Sequence, residues 1–177
     1  MSTWTEILMS EQARYPDTAL VRLMAQRFGL AEKRKLKVLD IGPGGGAVTR
    51  FLEDNYETVV SVDFSHASRA HYHRDIREWD WVDGYFDVVV DYKTLCHVPD
   101  APFDQIARWL KPGGKLISVA PAPECNPVVG DGKTYTRFAS EYEMRDRLKA
   151  FTLVKVEELI EPYHGRPLIN FVIEATR

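Results

Sequence analysis

The sequence predicts an α/β fold: a doubly wound, mostly parallel sheet of seven strands with helices on both faces and an antiparallel strand pair near the C-terminus. Three observations predict it. Apolar, β-branched runs alternate with segments of helical periodicity, at intervals that suit parallel strands joined by crossover helices. The apolar stretch Val38-Leu39-Asp40-Ile41 runs straight into a glycine loop, Gly42-Pro43-Gly44-Gly45-Gly46, as a strand does when it turns sharply into a helix at a ligand crevice. Finally, Asp40, Asp63, Asp75 and Asp91 each stand at or just beyond the end of a predicted strand. Ligands of such sheets collect along that rim.

Each element has its own signal. Asp17 and Thr18 follow Pro16 and precede Leu20, Val21, Leu23, Met24 and Phe28, apolar at helical spacing, with Gly29 as the stop. The basic run Lys33, Arg34, Lys35 and Lys37 is expected to be a solvated connector into the first strand at Val38-Leu39. A helix over residues 47–55 feeds the β-branched run Thr58-Val59-Val60-Ser61-Val62-Asp63. A brief third strand is placed at residues 71–76, and Phe86-Asp87-Val88-Val89-Val90-Asp91 is apolar enough to lie inside a parallel sheet. Residues 103–110 read as a helix, Lys111-Pro112-Gly113-Gly114 as a turn and residues 115–120 as the fifth strand. Beyond a Pro-rich loop come a helix near residues 140–150 and two strands, 153–160 and 168–175, joined through residues 161–167.

Composition narrows the function. A chain of 177 residues holds one proper core and is too short for two, so residues 1–177 are expected to form a single domain. Lys and Arg number 23 against 26 Asp and Glu, a net charge of −3 that carries no footprint of a general nucleic-acid binder and favours a small-molecule partner. Cys96 and Cys125 have neither metal-ligand spacing nor the density of a disulfide scaffold. His71 and His73 share a strand face that would suit two metal ligands, but without a third nearby no metal is expected. No apolar run approaches about 18 residues and the N-terminus has no signal core, so a cytoplasmic protein without a membrane partner is expected, as monomer or homodimer.

The glycine loop speaks to the ligand. Its glycines let a flat molecule lie against bare main chain. A pyrophosphate loop uses glycines and the positive helix end, and a carboxylate such as Asp40 beside it would repel the phosphates. Asp40 therefore favours a ligand that brings positive charge. S-adenosylmethionine, with an ammonium and a sulfonium and no phosphate, is such a ligand. The order acid, any residue, then glycines at alternate positions resembles the motif of class I S-adenosylmethionine-dependent methyltransferases. Gly42 to Ala47 also fits the G-x-G-x-x-A dinucleotide pattern, and Asp63, about 20 residues on, suits the ribose of either cofactor. Two further segments resemble the methyltransferases: Leu95-Cys96-His97-Val98 after the fourth strand, and Leu110-Lys111-Pro112-Gly113-Gly114 before the fifth. The resemblance spans residues 38–120.

The resemblance implies a Rossmann-like domain that binds S-adenosylmethionine, releases S-adenosylhomocysteine, and holds the cofactor with Asp40, Gly42, Gly44, Gly46, Asp63, Phe64, Asp75, Ile76, Asp91 and Tyr92. In the family, an acid and an apolar residue in the positions of Asp75 and Ile76 accept from the adenine amino group and cover its ring. The chain departs from the family by shortening the segment between Asp63 and Phe86, where a full helix is usual. Either a helix of about two turns forms around residues 66–70, or that face of the sheet is partly uncovered. The tail is similar to the small-molecule branch that includes tellurite and thiol methyltransferases.

On the acceptor side, His97 and Tyr92 are the candidate catalytic residues, His97 as a general base or as a residue packing the following helix. Cys96, Glu124, Tyr135, Tyr163 and His164 are further candidates from loops near the strand ends, and Trp4, Tyr15 and the first helix form either a lid or a docked element. Met144, Leu148 and Phe151 carry core spacing. The leading expectation is methyl transfer to a small molecule, mainly by proximity and orientation. A protein or nucleic-acid acceptor, a nicotinamide-dependent reductase and a non-catalytic cofactor-binding module are the alternatives.

Overall fold

The computed structural model describes residues 16, 18–29, 34–98, 100–122, 141–163 and 166–177. A seven-stranded sheet runs in the order β3-β2-β1-β4-β5-β7-β6. The elements are α1 (Thr18–Phe28), β1 (Arg34–Ile41), α2 (Ala47–Asn55), β2 (Tyr56–Asp63), β3 (Tyr72–His73), β4 (Phe86–Tyr92), α3 (Phe103–Trp109), β5 (Leu110–Pro121), α4 (Glu141–Arg147), β6 (Leu153–Tyr163) and β7 (Arg166–Thr176). Strands β1 to β5 pair in parallel, and β7 runs antiparallel between β5 and β6. The strand order turns back between β1 and β4, which opens a crevice at their C-terminal ends.

Period-two alternation divides the core. Val38 of β1 and Val88 and Val90 of β4 face α1 and α2, where Leu20, Met24, Val48 and Leu52 close over them. Leu39, Ile41 and Val89 face the other way, toward α3 and α4 with Phe103, Ile106, Met144 and Leu148. Leu20 and Met24 sit at helical i, i+4 spacing and are fully buried, each contributing about 1.5–3 kcal/mol. The same helix is tied down electrostatically: Arg27 Nε donates to Glu174 of β7 at 2.7 Å, and Lys115 of β5 pairs with the other oxygen of that carboxylate.

Three elements differ from the sequence expectation. β1 begins at Arg34, so most of the basic run is strand rather than connector; the Lys37 N–H donates to Asp87, and its ammonium lies 4.1 Å from the Tyr85 ring centre. Lys111 to Gly114 belongs to β5 as an irregular start, with a register shift opposite Phe86–Val88. The third strand shrinks to Tyr72–His73.

Between β2 and β4 the described chain contains no helix. Residues 65–70 form a turn whose Ser65 N–H and Arg69 N–H donate to Asp63 and to the Gly44 carbonyl, at 2.9 Å each. The sheet face beside it is covered by tryptophans. Trp79 stacks on Trp81 at 5.1 Å and meets Trp109 of α3 edge-on at 5.0 Å, while Trp81 lies over Phe86 at 5.9 Å. Gln105 and Trp109 pin the segment from α3 through the Trp79 carbonyl and the Asp80 carboxylate, at 2.9 and 3.1 Å. Large rings recover on a short connection the apolar area a helix would have supplied.

Candidate active site

The loop after β1 is built around one close approach. Gly42 has φ +68, and a Cβ there would stand 2.1 Å from the Thr94 hydroxyl oxygen. Only glycine leaves the room that Thr94 occupies. Thr94 in turn donates to the Gly42 carbonyl at 3.3 Å, so the loops after β1 and β4 interlock. Gly46 opens α2 at φ +77, and Gly44 N–H donates to Asp63 Oδ2 at 3.2 Å.

Four acids mark the strand ends, in two kinds. Asp40 and Asp91 are 1% and 0% exposed and lie beneath the loops. Asp40 follows Val38 by two residues and so points to the α2 face, where Thr49 Oγ1 donates to it at 2.6 Å. Burial pushes its carboxyl up to about 7; the Thr49 hydrogen bond opposes this, and Asp91, Asp63 and Glu53 add to it. Asp91 accepts from Ser118 Oγ at 2.6 Å and from the Leu95 and Thr94 N–H groups at 2.9 and 3.0 Å. Burial raises it to about 6 against those three hydrogen bonds. The other pair is reachable: Asp63 and Asp75 both line a cavity of about 200 Å³.

That cavity is walled by Ile41, Gly42, Val62, Asp63, Phe64, Arg74, Asp75, Ile76, Arg77, Thr94, His97 and Val98. Of the residues expected from sequence, it brings together Gly42, Asp63, Phe64, Asp75, Ile76 and His97. Phe64 is 67% exposed at its mouth. Asp40 and Asp91 hold the loops from below rather than lining the space, and Gly44 and Gly46 shape the turn. Tyr92 packs with the core on the α1 side, away from His97, so the two candidate catalytic side chains do not converge. Cys96 is buried in the opposite core. Tyr163 closes β6, while Trp4, Tyr15, Glu124, Cys125, Tyr135 and His164 lie outside the described residues.

Arg74, Arg77, Thr94 and Val98 were not foreseen. For Thr94 the usable signal was Gly42 itself, because a glycine at a tight turn implies something occupying the place of its side chain. The two arginines carry no spacing that announces them. The histidine pair separates into different contacts: the His71 ring lies between the Ser61 N–H and Glu53, whereas His73 meets the Ser65 carbonyl. Among the described residues no three His, Cys, Asp or Glu side chains are grouped to hold a metal, and no helix is long and apolar enough to cross a membrane.

A family model described as a methyltransferase domain matches residues 11–171. The chain belongs to the class I S-adenosylmethionine-dependent methyltransferases. The family's cofactor is S-adenosylmethionine, and the nicotinamide reading that the glycine pattern had left open falls. Phosphoethanolamine N-methyltransferase 3 of Arabidopsis thaliana is 33% identical over 98 residues, covering 46% of this methyltransferase chain and 20% of the plant protein. A ubiquinone biosynthesis O-methyltransferase of Pseudomonas aeruginosa is 34% identical over 115 residues, covering 55% of the chain and 48% of its own length. The chain thus spans about a fifth to a half of the curated relatives it matches. In fold it is similar to a phosphoethanolamine N-methyltransferase 2 of Haemonchus contortus solved with S-adenosylhomocysteine, at TM-score 0.74 and 19% identity, covering 99% of this chain and 58% of that one.

The cavity fits this cofactor on its own chemistry. Its walls Ile41, Val62, Phe64 and Ile76 suit a flat ring, and the half-buried Asp63 carboxylate, already steadied by two backbone N–H groups, offers its remaining lone pairs to hydroxyls. Asp40 lies just below the loop, where an arriving cation would favour its ionised form.

Proposed function

We propose that this single domain transfers the methyl group of S-adenosylmethionine to a small-molecule acceptor by in-line displacement. The observation that carries the reading is the convergence of the glycine loop, Asp63, Ile76 and the β4 loop on one cavity at the C-terminal ends of β1, β2 and β4. Bound there, the sulfonium supplies an already activated methyl group. The chain's own task is then mostly placement. Asp63 holds the ribose, Ile76 and Phe64 cover the ring, and the Gly42–Thr94 interlock fixes the distance between the loop that seats the donor and the one that faces the acceptor. His97, on the cavity wall, is placed to accept a proton from an acceptor that must lose one.

The relatives named for phosphoethanolamine and for ubiquinone biosynthesis support a small acceptor, presenting an amine or a hydroxyl. The test is calorimetric titration with S-adenosylmethionine, followed by labelled-methyl transfer to phosphoethanolamine and to a panel of small phenols and thiols. Micromolar binding with label entering any of these supports the proposal; no binding overturns it. Binding without transfer, in that panel or in a cell extract, would assign the chain as a cofactor-binding module instead.

A further inference from the structure

Asp75 stands where the resemblance puts the acceptor for the adenine amino group, yet its carboxylate is already taken. Arg77 Nε donates to Oδ1 at 3.0 Å and Oδ2 at 3.2 Å, Arg77 Nη2 donates to Oδ2 at 2.5 Å, and the Arg77 backbone N–H donates to Oδ1 at 2.9 Å. A carboxylate offers about four lone-pair sites, and three N–H groups of this one residue, with the Nε–H shared between both oxygens, occupy most of them. The hydrogen bonds from Arg77 hold the Asp75 carboxyl below the usual range. Both side chains line the cavity, so the capped carboxylate belongs to the wall a purine would meet.

We infer that Arg77 caps Asp75, so that the cavity accepts the purine of its cofactor by shape and apolar cover from Ile76 and Phe64 and reads the exocyclic amino group only weakly. The inference rests on the cofactor reading proposed above. An amino group that would donate to Asp75 must first displace a bidentate guanidinium, which cancels most of its gain. The pairing is local, two residues apart on one loop. Removing the arginine uncovers the carboxylate and turns Asp75 into a discriminating acceptor.

The experiment compares two ligands by calorimetry on the full chain. One is S-adenosylhomocysteine and the other its analogue with hydrogen in place of the 6-amino group. The wild type is expected to bind both within about threefold, and Arg77→Ala to prefer the amino-bearing ligand by about tenfold, the worth of one hydrogen bond to a charged group. Arg77→Ala,Asp75→Asn is expected to return the ratio toward the wild-type value. A wild-type preference of tenfold or more that Arg77→Ala leaves unchanged overturns the inference, since the arginine would then swing aside. An equal loss of both ligands in Arg77→Ala also overturns it, since Arg77 would then be stacking on the ring. If neither ligand binds the wild type, the cofactor reading fails and the inference with it.

Discussion

Replacing Asp40 by Asn should stabilise the protein at alkaline pH relative to acid pH, although Asp40 opens the sequence motif of the site. The carboxyl is 1% exposed and moves from an ordinary 3.8 to about 7 on folding, because burial penalises its charge more than the Thr49 hydroxyl supports it. Between those two values the unfolded chain releases its proton while the folded chain keeps it, so stability falls as pH rises, and the whole penalty is present above pH 7. At about 1.4 kcal/mol for each tenfold change, the full penalty is about 4 kcal/mol, of which about 3 kcal/mol develops between pH 4.5 and 8. Asp40→Asn keeps the shape and the acceptor for Thr49 but cannot ionise. Any fixed cost of the amide is the same at every pH, and Asp91 titrates in both proteins, so the comparison reports Asp40 together with its coupling to Asp91. Urea unfolding of wild type and variant at half-unit pH intervals is the assay. The variant should gain about 3 kcal/mol on the wild type across that window. Parallel profiles would refute the burial argument. The same group should release protons when the cation binds, seen as a binding enthalpy at pH 7 that depends on the buffer's ionisation enthalpy and loses that dependence in the variant.

Three further outcomes follow from the geometry. Gly42→Ala places a methyl 2.1 Å from the Thr94 oxygen at φ +68, and should destabilise the fold by about 1–3 kcal/mol and weaken cofactor binding more than tenfold; Thr94→Gly in the same chain should restore part of both, read by melting and calorimetry. Asp63→Asn should weaken S-adenosylmethionine binding by about 10- to 100-fold, the value of hydrogen bonds to a charged acceptor, while the melting temperature of the free protein changes much less. For Glu174, burial alone would raise the carboxyl, but the Lys115 and Arg27 hydrogen bonds overcome it and hold it below 4.5. Its contribution is therefore present above that value and lost as pH falls through the lower folded value. Glu174→Gln should speed amide exchange in α1 at neutral pH and abolish the extra acid sensitivity of that helix.

Most of the sheet was legible because its signals are local. Val38 to Gly46 and Phe86 to Asp91 are continuous apolar runs with acids at their ends, and alternation alone says that Asp40 shares a face with Val38. What alternation could not say is that this face is closed by α2. Asp40 therefore became a buried support, Asp91 became one on the opposite face beneath Thr94 and Leu95, and Asp63 and Asp75 became wall residues. The length of the segment after Asp63 allows either a helix of about two turns or a partly uncovered face, and the structure has a turn there with tryptophans on the face. Sequence spacing measures only the length of a connection, and two tryptophans on that connection, packed with Trp109 of α3, can fill the volume that a helix would fill. Tyr92 and His97 look adjacent along the chain, but the strand's pleat sends Tyr92 to one core and the following turn carries His97 to the other side.

That tryptophan layer also makes the protein its own sensor. Trp79, Trp81 and Trp109 form one cluster, stacked between the first two and edge-on to the third, and the Trp79 backbone N–H is bonded directly to the Asp75 carbonyl at 2.9 Å, on the loop that walls the cavity. Indoles at this spacing couple their excited states, so the dichroism of the chain is expected to carry a contribution from the geometry of this cluster. A ligand settling against Asp75 and Ile76 is expected to perturb the peptide that holds Trp79. Occupancy of the cavity can thus be followed by emission and dichroism of the native chain, without a label, at the concentrations where acceptors would be screened.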